Sequence, residues 1–505
     1  MIENTSSLKS RFQTLEANKQ ELVQVAEKAS QLTLRYIFPP SNKKDNTYLG
    51  KNWQAVGARG VNNLASKLLL TLFPPSGGFF KYSLDESIKA ALSPEALQMA
   101  ENYAMLAEKL TLQELNQLAT RHILFESLKH LIITGNIALW LDGNKFKLYD
   151  LHNFVVVRDK AMNLVEIILR ETVDKDALPA NFRELIESND IPSSFVANKT
   201  SDPQNTQYDV FTGAKLINNT WEMWQEINGV EVPGTRKKVK RLPILVLRWT
   251  NNEYGHGLIE QVLGDLYTLE QLSKAVAQGS MAAARTLFLV RPSAETSIEA
   301  LVNAPNGAVV EGNIDDVGTL QLDKFADFRT AAEKAAEIEE RLNYMFLVFQ
   351  PRTAERVTAE EIRRLTEELE ALLGGVYTLL AEELQKPLIE LIFEKLQKEG
   401  KLEKAGDDVK VIITAGFEEL SRAATFNKLL TFLNSIGAIP NAVETVNWSE
   451  FIMRLVNSLN IDAKGLVLTP EELEAKREEA LRMQTQAAAA QAGVQAAVTN
   501  SKSNS

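Results

Sequence analysis

Residues 350–373, QPRTAERVTAEEIRRLTEELEALL, constrain the fold more than any other stretch of the chain. A polar, charged segment runs here straight into a helix whose start is written in its own side chains. Thr358 can accept from the backbone N–H three residues on while Glu361 reaches back to the cap, which makes a capping box. Glu360 and Glu361 suit the positive end of the helix dipole. Ile362, Leu365, Leu369, Leu372, Leu373, Val376, Leu379 and Leu380 then recur at spacings of three and four, with Arg363, Arg364, Glu367, Glu368 and Glu370 on the other face. Continued through Gly374-Gly375 and Pro387 to Gly400, the pattern covers about forty residues and roughly 60 Å at 1.5 Å per residue. The glycine pair and the proline are its natural kink points. Taken alone, the window favours an ordinary kinked core helix behind a surface loop over a charged segment with a special role.

At 505 residues, 45% hydrophobic and 24% charged, the chain has globular composition and length for two to four structural units. It has no cysteine, which excludes disulfides, thiol nucleophiles and cysteine-ligated zinc. MIENTSSLKSR at the start has no apolar core of a secretory signal. The most apolar windows, 131–141 and 342–349, are shorter than the roughly twenty residues of a bilayer span, so a soluble chain is expected. The net charge of −11 argues against a tight grip on nucleic acid, which gains its affinity from a basic face. It leaves room for weak contact through a few Arg or Lys side chains on one loop.

Residues 7–37 read as helix-rich, Pro39-Pro40 begins a loop, and 53–72 reads as a helix with Val56, Leu64, Leu68 and Leu72 on one side. It stops at Pro74-Pro75 and Gly77-Gly78. A long helical region, 94–133, ends near Gly135. The period then falls to about two, predicting strands at 138–141, 146–149, 154–158 and 164–171, with more at 208–211, 220–225 and 244–249. Residues 187–206 read as a flexible insertion. Gly255 and Gly257 precede a helix over 258–285 carrying Ile259, Val262, Leu266, Leu269, Leu272 and Val276. Short strands are expected at 288–290, 308–311 and 313–318, then a helix over 325–349, a stalk-and-head arrangement. A strand at 409–414 and helices through 483 follow, one started at Thr469-Pro470-Glu471-Glu472. The last twenty or so residues are low-complexity.

The chain carries no P-loop. GARG at 57–60 and GAVVEG at 307–312 are glycine pairs outside the context of a dinucleotide fingerprint. His122, Glu126 and His130 share a helix face at metal-ligand spacing but lack a fourth ligand nearby in sequence. His152 and His256 are isolated, and serine-hydrolase and metalloprotease motifs are absent. We expect no catalysis, no cofactor and no metal.

Two runs, WQAVGARGVNNLASKL at 53–68 and RTAERVTAEEIR at 352–363 followed by ELEALLGGVYTLLAEELQKPL, resemble the head-to-tail connector, or portal, proteins of short-tailed, podovirus-type bacteriophages. Weaker similarity extends through FESLKHLIITGNIALWL at 125, GHGLIEQVLGDLYTLEQL at 255, TLQLDKFADF at 319 and GLVLT at 465. The resemblance implies an α+β, predominantly helical portal architecture of wing, stem, clip and crown, with small β-sheets in wing and clip. By position, 1–256 would be wing, 257–285 and 325–349 the stem helices, 286–324 the clip and 350–357 the tunnel loop. Residues 358–416 would be the long kinked helix and return strand of the wing, 417–482 the crown and 483–505 the tail. Such proteins form a ring, usually of twelve copies, at one capsid vertex, with double-stranded DNA passing through the centre. The implied partners are the large terminase subunit, scaffolding protein, major capsid protein, and tail adaptor and internal core proteins, without membrane insertion. The implied location is the head-tail vertex of the virion, after assembly in the host bacterial cytoplasm. Gln350, Arg352, Thr353, Glu355 and Arg356 become tunnel-loop candidates for DNA contact, and Leu266, Leu269, Leu272, Ile338 and Leu342 candidates for stem packing. At Ala354 the family often has glycine, so this loop gives up backbone freedom there. Twelve copies at −11 would carry about −132, which suits a conduit that must not grip its DNA. A helical scaffold or adaptor that encloses no DNA would account equally for an acidic surface and long helices.

Overall fold

A computed structural model describes residues 7–40, 50–74, 79–84, 93–118, 120–187, 207–227, 229–283, 287–292, 297–305, 308–309, 311–320, 325–348, 373, 375–403, 409–413, 429–436, 446 and 448–459. The chain divides after Ala415 into two compact units.

The first unit opens with α1 (Leu8–Asn18), where Ser7 Oγ accepts from the Ser10 N–H, and α2 (Gln20–Leu32). In α3 (Val56–Leu72) the three-and-four spacing becomes burial, with Val61, Leu64, Ala65, Leu68 and Leu72 fully enclosed. After β1 (Phe80–Leu84) come α4 (Pro94–Gln117), capped by Ser93 with proline at its first position, and α5 (Thr120–Thr134). The helical region expected over 94–133 is made of these two helices. Thr120 Oγ1 donates to the Leu115 carbonyl and Arg121 reaches the Phe73 carbonyl at 2.8 Å, which fixes the corner.

The alternating segments form β2 (Asn136–Asp142), β3 (Lys145–Tyr149), β4 (Phe154–Arg158), β5 (Leu164–Asp174), then α6 (Ala180–Glu187), β6 (Gln207–Ile217), β7 (Thr220–Ile227), β8 (Val230–Glu231), β9 (Lys237–Val239) and β10 (Ile244–Arg248). Two antiparallel sheets result: β10-β2-β3, and β4-β5-β6-β7 with β8 and β9 both on β7. α1 lies on the second sheet, Leu8 and Phe12 packing on Val155, Ile168 and Phe211.

Next come α7 (Leu258–Gln261), α8 (Leu263–Ala283), β11 (Leu287–Val290), α9 (Ile298–Asn303), β12 (Val317–Leu320) and α10 (Phe325–Met345). The expected helix over 258–285 is interrupted at Val262, whose N–H turns to the Ile259 carbonyl at 3.1 Å. β11 pairs antiparallel with β12. The strand expected at 308–311 is absent from its described residues, and 313–318 is a short 3-10 turn leading into β12. Val309 is fully exposed, so its β-branched run has no sheet to join.

The last part of the unit holds α11 (Val376–Leu380), a π-helical turn over Ala381–Gln385, α12 (Lys386–Lys398) and β13 (Val409–Ile413), which pairs with β1. Pro387 explains the π turn. A proline inside a helix cannot donate to the carbonyl four residues back and crowds it, so the ladder widens there. The capping box and the helix expected over 358–372 lie outside the described residues, as does the helix expected from Thr469. In the second unit α13 (Trp448–Leu459) places Phe451 against Phe432 and Trp448, with ring centroids 6.2 and 5.8 Å apart.

Candidate functional site

α8 and α10 pack as an antiparallel pair: Asp265 near the start of α8 meets Arg341 near the end of α10 at 2.8 Å, while Gly279 lies beneath the Phe328 ring at the other end. Leu266 and Leu342 are fully buried, Leu269 and Ile338 nearly so, and Leu272 is half-buried against the same core. The five residues singled out for stem packing therefore face one apolar cluster inside a single chain.

α10 ends earlier than its periodicity suggested, at Met345, and Leu347 takes a left-handed backbone conformation with φ +52°. A branched side chain resists that conformation, so the surroundings must hold it. They do so from α3. Asn63 Nδ2 donates to the carbonyls of Phe346 and Leu347 at 3.0 and 3.1 Å, and Lys67 Nζ donates to the Leu347 carbonyl at 2.7 Å. These bonds satisfy carbonyls that the end of a helix leaves open. One turn earlier, Arg59 bridges Glu339 at 2.9 Å and Asn343 at 3.1 Å. Gly60 lets the buried Phe346 ring lie directly on the helix, since a Cβ there would stand closer than 3.0 Å to three ring atoms.

α3 is itself fixed at its start by α8. Glu270 accepts from the backbone N–H groups of Trp53 (2.9 Å) and Gln54 (3.3 Å), and Gln54 Oε1 accepts from Gly57 N–H at 2.9 Å. Gly57 is pressed between the Leu32 carbonyl and Leu266, leaving no room for a side chain. At its far end α3 receives the chain again after residue 372. Tyr377 donates to the Thr71 carbonyl at 3.4 Å, and Gln385 Nε2, in the π turn, donates to the Leu72 carbonyl. Glu383 of the same turn accepts from buried Arg248 at 2.7 and 2.8 Å. The described chain on either side of 349–372 thus bonds to α3, at Leu347 before it and at Tyr377 after it.

Gln350, Arg352, Thr353, Glu355 and Arg356, together with Ala354, lie in that interval and outside the described residues. Asn63, Lys67, Glu270 and Gln385 were not singled out from sequence. A signal for the first two existed: Arg59, Asn63 and Lys67 stand four apart, a polar line along a helix whose other residues are mostly apolar.

The metal-spaced trio does not converge. His122 is exposed, Glu126 pairs with Lys129 at 2.8 Å, and His130 Nδ1 is enclosed, with burial lowering its pKa and keeping it neutral. Among the described residues no group of His, Cys, Asp and Glu could hold a metal ion. His152 stacks on Phe38 with centroids 4.0 Å apart, and His256 lies 3.0 Å from Glu260. No helix among the described residues is long and apolar enough to cross a membrane. The most basic run, RKKVKR at 236–241, is largely neutralised within the chain. Arg236 pairs with Glu231 and Glu222, Lys238 with Glu222, and Arg241 with Glu390 and Glu394.

Comparison with known proteins identifies the family. A family model for the bacteriophage head to tail connecting protein matches residues 5–467. The portal protein of Enterobacteria phage T3 is 34% identical over 94% of this chain and 91% of its own length. That of Escherichia phage T7 is 33% identical over 93% and 89%, and that of Enterobacteria phage SP6 29% identical over 84% and 82%. The chain therefore belongs to the family of bacteriophage head-to-tail connecting proteins, the portal proteins.

Proposed function

We propose that this chain is one subunit of a portal ring, usually of twelve copies in this family, through which double-stranded DNA enters the capsid and later leaves it. It stands at the head-tail vertex of the virion after assembly in the host cytoplasm, and its role is structural. In this reading 1–256 is wing, 257–285 and 325–349 stem, 286–324 clip, 350–357 tunnel loop, 358–416 the return through the wing and 417–482 crown. The packaging terminase docks first and supplies the ATP chemistry, with tail adaptor proteins following. Scaffolding, major capsid and internal core proteins meet the ring on the head side.

The observation that supports a DNA-facing role for 350–357 is how the wider interval 349–372 is flanked: the described chain bonds to α3 before it, at Leu347, and after it, at Tyr377. A loop so held can carry Arg352 and Arg356 to phosphates while Glu355 limits their attraction, a brief contact suited to sliding. Negative-stain images of the purified protein test the ring: an open central channel is expected, whereas monodisperse single subunits would favour an adaptor that encloses no DNA. Packaging by Arg352→Ala and Arg356→Ala particles tests the loop. Slower filling or poorer DNA retention is expected, and unchanged values of both would sink the assignment.

A further inference from the structure

The paired stem helices leave two unlike stripes uncovered. On α8, Tyr267, Gln271, Lys274, Gln278 and Met281 are all exposed. They follow a four-three-four-three spacing, so they form one line along the helix. On α10 the exposed line is Glu333, Glu337, Glu340 and Tyr344, with Ala332 and Ala336 beside it. The first stripe has one cation and no carboxylate; the second has three carboxylates.

Most stem charges are already matched inside the chain. Asp265 pairs with Arg341, Glu339 with Arg59, Glu337 with Lys334 and Glu333 with Arg329. Among the described stem residues Lys274 and Glu340 are left without such a partner. They cannot serve each other within one hairpin. With Asp265 level with Arg341 and Gly279 level with Phe328, Lys274 stands at the height of Glu333, and Tyr267 at the height of Glu340. A rotation about an axis running along the stem preserves height. With the ring axis in that direction, Lys274 of one copy is level with Glu333 of the next, and Tyr267 with Glu340. Gln271 then meets the small side chain of Ala336. Two different faces meeting in this head-to-tail sense generate a ring when the rotation closes.

We propose that the lateral contact between neighbouring subunits is the α8 stripe of one copy against the α10 stripe of the next, with Lys274 joining Glu333 and the Tyr267 phenol donating to Glu340. This rests on the portal reading and names its interface. The chain has no cysteine, so an introduced pair reports without background. In assembled particles of Lys274→Cys/Glu333→Cys and of Tyr267→Cys/Glu340→Cys, a short bis-maleimide should give a ladder of linked subunits on denaturing gels, and each single variant should give none. Separately, Lys274→Glu should lower the ring fraction by about two- to fivefold per contact, the scale of an exposed ion pair, and Glu333→Lys added to it should restore assembly. Rings that form but give no ladder from either pair, or no rescue by the charge exchange, overturn the interface and leave the portal reading standing. Wild-type protein that never forms rings overturns the portal reading itself.

Discussion

Gly60→Ala isolates the clamp between α3 and the end of α10. In an ordinary helix the change stabilises by about 1 kcal/mol, because alanine loses less backbone freedom than glycine. At position 60 the new Cβ would stand closer than 3.0 Å to three atoms of the Phe346 ring, which is itself fully buried. Overfilling a packed site of this kind costs about 1–3 kcal/mol. Displacing Phe346 also pulls its carbonyl from Asn63, at about 1 kcal/mol for the lost hydrogen bond. The net expectation is a loss of about 1–3 kcal/mol, opposite in sign to the helix propensity. Gly264→Ala, in the first turn of α8 with nothing within 4 Å of its Cβ, is the control and should gain up to about 1 kcal/mol. Urea midpoints at one protein concentration measure both. Adding Phe346→Leu makes room for the methyl, so the double variant should be more stable than the sum of the singles by about 1 kcal/mol. If Gly60→Ala raises the midpoint as Gly264→Ala does, the close approach of Phe346 to α3 is not what holds the stem end, and the clamp argument fails.

Lys19 is buried, donates to the Leu151 and Phe154 carbonyls at 2.5 Å each, and lies within 6.0 Å of the Phe12, Phe154 and Tyr254 ring centres. Burial lowers its pKa from 10.5 to about 7, against the pull of Glu16 and Asp150. Between those values the unfolded chain holds the extra proton. Stability therefore rises with pH by at most about 1.4 kcal/mol per unit across the window, fully gained above 10.5 and gone below 7. Urea midpoints from pH 7 to 9 should climb less steeply in Lys19→Met, and equal slopes would show that Lys19 keeps its proton. Glu270→Ala leaves the Trp53 and Gln54 N–H groups without their acceptor and should cost about 1–3 kcal/mol in thermal unfolding, with Glu270→Gln recovering part. A neutral Glu270→Ala would contradict the anchoring of α3 by α8.

What could be read from the sequence was local. Apolar spacing located α3, α8 and α10, each of which buries one face, and alternating or β-branched runs between turn residues located β2 to β5, although β2 is buried on both faces. The joints were illegible where a distant group decides them. Asn63 and Leu347 are separated by 284 positions, so no window of sequence shows that the polar line on α3 meets the end of α10. β1 went unseen because a five-residue run becomes a strand only through β13, more than three hundred residues on. The run at 308–311 differs in the opposite way, having strand composition but no strand among its described residues. The Arg236 to Arg241 run looks available in sequence. It is not, because Glu222, Glu231, Glu390 and Glu394 come to it from other elements.

In the proposed reading 350–357 meets moving DNA, and its own contacts would have to stay weak for the DNA to slide. Its position then has to be set at its ends. Here the outgoing end is held by three hydrogen bonds to two carbonyls and by a ring lying on a glycine, and the returning end by Gln385 and Tyr377 on the last turn of the same helix. These are directional contacts made against a closely packed core of low compliance. Arg248 adds a second tie: a buried guanidinium held by Glu383 fixes the π turn to β10, and removing either partner would strand a charge in the interior. Movement at the outgoing end therefore reaches α3, and from Glu270 α8, while the returning end is tied both to α3 and, through Arg248, to β10. In a ring, the root of the loop and the stem of its own subunit would shift together before anything reached the neighbouring copy.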